Sequence, residues 1–278
     1  MTDLGQLFIV ATPIGNLNDI TYRAVEVLQE VDVIAAEDTR HSGKLLFHYG
    51  INTKTTAFHD HNEKDKAQLL INWLKEGKNI ALISDAGTPL ISDPGYAIVN
   101  LCRAEGLQVT PIPGPCAAIA AVSCSGLPTD NFTFMGFIPV KQKARQDFFS
   151  KVNDLTGTAI CYESPRRVVD SVTAIGECLG LDTQVVLAKE ITKTFETFKS
   201  GSVEELLEWL KADEVHQKGE MVLMIAPKVT DKSDIPAPAI ELLKSLKSEL
   251  PLKKAAAVVA SHYDLKKNDL YKLGLELG

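Results

Sequence analysis

The chain has 278 residues, 45% of them hydrophobic and 23% charged, with a net charge of −7. That balance fits a globular chain of two domains and an appendage, and it excludes a protein that coats nucleic acid through bulk positive charge. The longest apolar runs, Ala117 to Val122 and Met221 to Ala226, fall far short of a membrane span, and Met1 to Gly5 has no signal-peptide pattern, so a cytoplasmic protein without a membrane partner is expected.

In chain order, Leu7 to Ala11 reads as a strand stopped by Thr12-Pro13-Ile14-Gly15-Asn16, and Ala24, Val27, Leu28 and Val31 follow at helical spacing. Val33 to Ala36 is a second strand that ends at Glu37-Asp38-Thr39-Arg40-His41. A short helix is expected over Gly43 to Tyr49, with Gly50 at its C′ position. Phe58-His59-Asp60-His61-Asn62-Glu63 is a polar loop feeding a helix from Lys64 to Glu76. Ile80 to Ile83 suits a strand buried on both faces. It breaks off in Ser84-Asp85-Ala86-Gly87-Thr88-Pro89, where small residues let a ligand approach the backbone. A helix from Tyr96 to Glu105, a strand from Leu107 to Ile112, the loop Pro113-Gly114-Pro115-Cys116 and a small-residue helix from Ala117 to Ser125 complete this half. Such alternation means a parallel sheet flanked by helices. Its loops at Thr12 to Gly15, Ala86 to Pro89 and Pro113 to Pro115 should meet at one edge, where ligands of open α/β sheets bind.

A boundary near residue 128 opens a second α/β domain over 129–227, after a first over 1–128. Phe132 to Ile138 alternates like a strand, and a helix is expected over Lys143 to Val152. After the strand Thr158 to Tyr162, Ser164-Pro165 reads as an N-cap and N1 pair for a helix from Arg166 to Leu179. Gln184 to Ala188 is a strand, Thr192 to Phe198 a β element or extended arm, and Ser202-Val203-Glu204-Glu205 a capping box. Met221 to Ala226 is the last strand. Residues 228–278 hold a linker and a tail of three helical patterns, Ala239 to Leu250, Leu252 to Ala260 and Lys266 to Leu273. The last two read equally as a helix-turn-helix or as a capping hairpin with solvated lysines.

Five cysteines, Cys102, Cys116, Cys124, Cys161 and Cys178, form no Cys-x-x-Cys pair and read as reduced thiols. His59 and His61 share a face if extended, but no third ligand accompanies them and no metal is expected.

Seven motifs stand in order along the chain: Thr12-Pro13-Ile14-Gly15-Asn16-Leu17, Ala36-Glu37-Asp38-Thr39-Arg40, Phe58 to Glu63, Ser84 to Pro89, Pro113-Gly114-Pro115-Cys116-Ala117-Ala118, Tyr162-Glu163-Ser164-Pro165-Arg166-Arg167 and Lys218-Gly219-Glu220-Met221. Together they resemble the bacterial small-subunit ribosomal RNA (cytidine-2′-O)-methyltransferases of the tetrapyrrole methylase superfamily. The resemblance implies two α/β domains of the class III methyltransferase type, S-adenosyl-L-methionine in the cleft between them, and a homodimer. It also implies methylation of a cytidine 2′-hydroxyl in 16S ribosomal RNA within the small subunit.

A sulfonium cofactor carries no phosphate, and neither a Walker loop nor a G-x-G-x-x-G turn occurs here. The expected cofactor residues are Pro13, Asp85, Ala86, Gly87, Thr88, Ile91, Cys116, Ala117 and Tyr162, followed by Ala188 and Ala226. Plain core packing is the alternative for Ile91 and Cys116. A ribose hydroxyl is a weak nucleophile that a base would help, and Glu37, Asp38, His59, His61, Glu163 and the Lys189-Glu190 pair are the candidates. Arg40, Arg166 and Arg167 suit phosphates, as do Lys253, Lys254, Lys266 and Lys267 of the tail. The rivals are a carbon methylase acting on a tetrapyrrole, and a cofactor- or RNA-binding module without catalysis.

Overall fold

Short apolar strands alternating with amphipathic helices can bury every strand face only if helices lie on both sides of the sheet. The computed structural model, which describes residues 4–59, 63–228, 235–263 and 265–277, has this arrangement in its first half. Strands β1 (Gln6–Val10), β2 (Val33–Ala36), β3 (Thr55–Ala57), β4 (Ile80–Ile83) and β5 (Gln108–Ile112) pair in parallel in the order β3-β2-β4-β1-β5. Helices α1 (Tyr22–Glu30), α2 (Thr39–His48), α3 (Glu63–Lys75) and α4 (Tyr96–Ala104) make the crossovers. Leu7, Ala35, Ile80 and Leu82 pack against α3 and α4 on one face, while Val10, Ile34, Ala81 and Ile83 meet α1 and α2 on the other.

Two local expectations fail here. Helix α2 begins at Thr39, not Gly43, because Asp38 caps it: the carboxylate accepts the N–H groups of Arg40 at 2.8 Å and His41 at 3.4 Å. Strand β3 is absent from the sequence reading because three half-buried residues give no period to read. Asp60, His61 and Asn62 lie outside the described residues.

Helix α5 (Ala117–Ser123) leaves β5 and crosses to the second sheet. That sheet consists of β6 (Phe132–Phe137), β7 (Thr158–Glu163), β8 (Gln184–Lys189), β9 (Thr197–Ser202) and β10 (Met221–Ile225), in the order β6-β7-β10-β8-β9. Only β6 and β7 run parallel; β10 is antiparallel to both β7 and β8, and β9 to β8. Helices α6 (Gln142–Asn153), α7 (Val168–Leu179) and α8 (Val203–Ala212) cover one face. Ala118, Ala121 and Val122 of α5 cover the other, against Ile160, Val186, Ala188, Val222 and Met224. Small side chains on α5 let its backbone come close to that face.

The capping box is formed, with Ser202 and Glu205 bonding reciprocally at the start of α8. Thr192 to Glu196 is instead a turn, and β9 starts only at Thr197. Nor do Ser164 and Pro165 cap α7, which starts at Val168. The Arg167 N–H bonds the Ser164 carbonyl at 3.0 Å as a turn, and a buried carboxylate organises that turn. Glu163, with no exposed side-chain surface, accepts from Arg167 and from the Ser164 N–H, each at 2.6 Å, and from the Ser171 hydroxyl. The Arg167 guanidinium also donates to Ser164 Oγ and to the Ile138 carbonyl. One ion pair thus ties β7, the turn, α7 and the end of β6 together.

Lys228–Gly278 forms a separate unit. Its helices α9 (Ala237–Glu249), α10 (Leu252–Tyr263) and α11 (Lys267–Glu276) pack through Ala239, Leu243, Ala255, Ala256, Val259 and Leu270. Gly274 lets α11 approach α10, since a Cβ there would sit 2.3 Å from Leu252 Cδ1. Among the described residues, no helix is long and apolar enough to cross a membrane.

Removing one partner of a buried ion pair leaves the other charge stranded. Glu163→Ala should therefore lower unfolding free energy by about 3 kcal/mol in urea titration. A change below about 1 kcal/mol would mean that the pair does not anchor the turn.

Candidate active site

The carboxyl ends of β1, β2 and β4 lie side by side, and their loops are stitched together by backbone. Thr12 and Gly87 exchange both N–H···O bonds at 2.9 Å, an antiparallel bridge between neighbouring parallel strands. Gly87 adopts φ +86°, open to glycine and strained for other residues, and a Cβ there would lie 3.4 Å from Ile14 Cγ2. Asp85 Oδ1 accepts the Asp38 N–H at 3.1 Å, and Glu37 Oε2 accepts the Asp85 N–H at 3.5 Å, so the β2 and β4 loops hold each other. The Thr88 hydroxyl donates to the Pro115 carbonyl at 2.9 Å and draws in the β5 loop. The three loops expected at one edge do meet. Leu90 and Ser92, non-glycine residues at φ +72° and +71°, continue the β4 loop in the left-handed region. Such conformations persist only where the surroundings fix them, and they gather at ligand sites.

Facing these loops are the ends of strands in the second sheet. Tyr162 stands edge-on to Phe134 and Phe137, and its hydroxyl accepts the Ala118 N–H at 3.2 Å near the start of α5. Burial pushes its phenol up to about 12, so it stays protonated at neutral pH. On the other side, the turn after β8 carries Glu190 and Thr192 at positive φ. Lys193 bridges Glu190 at 3.0 Å and Glu220 at 2.8 Å, with its aliphatic stem over Gly15. The Thr192 hydroxyl donates to Asp19 at 2.6 Å, linking the two halves directly.

Between them lies a cleft of about 430 Å³, within the usual range for small-molecule sites. Glu37, Asp85, Ala86, Gly87, Thr88, Ile91, Cys116, Ala117, Tyr162 and Glu163, all singled out from sequence, line it. So do Ile14, Ser92, Asp93, Phe137, Ser164, Pro165, Ile191, Glu220, Met221 and Val222. Of these, Ile14, Ser164, Pro165, Glu220 and Met221 stand inside quoted motifs, and Ser92 and Asp93 lie in the loop and turn that follow the strand Ile80 to Ile83; Phe137, Ile191 and Val222 carried no site signal. Five lining residues are acidic, and among the described lining residues none is Lys, Arg or His. No group of three or more metal-binding side chains occurs among the described residues.

The remaining candidates sit elsewhere. Pro13 does not line the cleft, whereas its neighbour Ile14 does. Ala188 is fully buried under α5, and Ala226 closes the far end of β10, its N–H bonded to the Gln184 carbonyl. Because β10 runs antiparallel, its first residues, not its last, reach the cleft. Lys189 points out through the opposite face, where its buried ammonium donates to the Val215 carbonyl at 2.5 Å. Asp38 is spent on capping and does not line the cleft; bonds from the Arg40 side chain and backbone hold its carboxyl down to about 2. Glu163 lines the cleft with both oxygens engaged, and His59 follows β3 without lining it. Arg167 is turned inward to Glu163, so it offers no phosphate contact. Arg166 and Arg40 are exposed, as are Lys253, Lys254, Lys266 and Lys267 in the helical unit.

Comparison with known proteins agrees with this geometry. The family model described as Tetrapyrrole (Corrin/Porphyrin) Methylases matches residues 6–207, and one described as RsmI C-terminal HTH domain matches residues 233–278. A ribosomal RNA small subunit methyltransferase I of Escherichia coli O157:H7 is 56% identical over 98% of this chain and 95% of its own length. The protein of that name from Haemophilus influenzae is 53% identical over 99% of this chain and 98% of its own. A crystal structure of diphthine synthase superimposes with a TM-score of 0.62, covering 81% of this chain and 90% of its own at 16% identity, a likeness of fold alone. With its strand-end loops meeting at a cleft between two sheets and with relatives matching nearly end to end, the chain belongs to the tetrapyrrole methylase family, in the branch of the small-subunit ribosomal RNA methyltransferases.

Proposed function

We propose that this chain transfers a methyl group from S-adenosyl-L-methionine to the 2′-hydroxyl of a cytidine in 16S ribosomal RNA of the small subunit, as a cytoplasmic homodimer. The observation that carries the reading is the charge of the cleft: Glu37, Asp85 and Asp93 line it, no described lining residue is cationic, and the two further lining carboxylates, Glu163 and Glu220, are paired with Arg167 and Lys193. A phosphate-bearing cofactor would meet repulsion there, whereas a ligand with a sulfonium and an ammonium group is attracted. The names of the relatives support the RNA substrate; the cytidine and the homodimer rest on the family resemblance.

The residues present suit such a ligand. Gly87 keeps a close backbone approach open, and Ala86, Ala117 and Cys116 are small. Ile91 and Tyr162 offer apolar walls, and Asp85 and Asp93 offer acceptors for hydroxyl and ammonium groups. When bound, S-adenosylmethionine supplies a methyl group made electrophilic by the positive sulfur.

Displacement at that carbon needs the hydroxyl oxygen held in line, so positioning supplies most of the rate. Of the base candidates among the described residues, Glu37 and Glu163 line the cleft. Glu163 is committed to Arg167, Ser164 and Ser171, so we assign Glu37, whose Oε2 also accepts the Asp85 N–H, to take the hydroxyl proton as the ribose oxygen becomes nucleophilic. Arg40 and Arg166 stand exposed for the RNA backbone. The Arg40–Asp38 pair is exposed and worth little, so a phosphate can take the guanidinium over. The helical unit adds Lys253, Lys254, Lys266 and Lys267.

Asp85→Ala should weaken S-adenosylmethionine binding in calorimetry by about tenfold or more, since it removes an acceptor and loosens the β2–β4 loop contact. Unchanged affinity takes Asp85 out of the site. Glu37→Gln should lower kcat for methyl transfer to small ribosomal subunits by roughly a hundredfold with little change in cofactor affinity. Retained kcat would remove Glu37 as the base.

A further inference from the structure

We propose that the ring of Phe137 is the surface on which the base of the target nucleotide stacks once that nucleotide has left its strand and entered the cleft. The inference deepens the ribose-methylation reading and rests on it.

Phe137 lines the cleft and yet is 58% exposed. Core packing does not account for a large apolar ring held in water at the rim of a ligand cavity, and exposed apolar surface at such a place marks recognition.

The backbone is built to put it there. The register of β6 on β7 slips between Phe134 and Gly136, where Gly136 takes φ +72°. Phe134 pairs with Ile160, whereas Phe137 pairs with Tyr162. Without the extra residue Phe137 would fall opposite Glu163, on the helix-covered face with Cys161. The bulge reverses that parity and turns the ring to the cleft face.

The ring is also held in place. It meets Tyr162 edge-on, with centroids 5.4 Å apart and planes at 69°, and Tyr162 is itself fixed by Phe134 and the Ala118 N–H. A perpendicular contact secures Phe137 while leaving more than half its surface to a ligand.

The occupant follows from position. A cofactor is retained by the inner wall, where Gly87 is buried and Cys116, Ala117 and Tyr162 are partly so. The rim is met by the ligand that comes and goes. Single-stranded RNA is recognised by splaying bases onto aromatic rings, and an enzyme working on a paired nucleotide takes it out of the stack. Lys141 and Lys143, exposed just beyond the strand, provide cations for the flanking phosphates.

The test is transfer from labelled S-adenosylmethionine to small ribosomal subunits isolated from cells lacking this enzyme. Phe137→Ala and Phe137→Leu should each lower kcat/KM by about tenfold or more, and Phe137→Trp should stay within about threefold of the wild type. Calorimetric affinity for S-adenosylmethionine should remain within about twofold in all three. The leucine variant keeps an apolar side chain on Tyr162 without a face for stacking, so its loss separates stacking from packing. Wild-type kcat/KM in Phe137→Leu, or cofactor affinity falling in step with kcat/KM, overturns the proposal. If the wild-type enzyme transfers no methyl to the subunits, the ribose-methylation reading itself fails.

Discussion

Two backbone hydrogen bonds between Thr12 and Gly87 join the ends of neighbouring strands that would otherwise diverge into separate loops. The rest of the cleft depends on that join. It fixes Gly87 in a conformation strained for other residues, places Asp85 where it accepts from the β2 loop, and holds Thr88 where its hydroxyl reaches the β5 loop. A few main-chain bonds thereby convert three sequence-distant turns into one wall. Because peptide groups make the wall, the residues along it can be small and leave room for a ligand.

The second sheet contributes by a different logic. Helix α5 belongs to the first half by sequence and to the second by packing, so Ala118, Ala121 and Val122 fasten one sheet's end to the other's face. Tyr162 bonds the Ala118 N–H, which makes the start of that helix part of the cleft rim. Stability and recognition therefore share residues here. Glu163 shows the same overlap: it lines the cleft, yet its charge is committed to Arg167 and the turn that follows.

Much of this could be read from the chain, for identifiable reasons. Uninterrupted apolar runs such as Ile80 to Ile83 mark strands buried on both faces, and the Pro/Gly-rich turns behind them mark the ligand edge. What escaped reading was direction and parity. Nothing local announces that β10 runs against its neighbours, so the sequence points to Ala226 at the cleft, whereas Met221 and Val222 are there. Lys189 sits one residue from Ala188, and the two-residue period of a strand sends it to the opposite face. The bulge that re-aims Phe137 and the three-residue β3 are equally silent, since each depends on a partner strand. Asp38 misled because capping and catalysis favour the same residue type at a strand end.

The clasp at one side of the molecule has a mechanical consequence. Lys193 grips two carboxylates while lying over Gly15, and the neighbouring Thr192 is bonded to Asp19. Along that seam the halves cannot part without exposing two negative groups that now share one ammonium. Any parting of the two sheets along this edge must first separate Lys193 from Glu190 and Glu220 and Thr192 from Asp19.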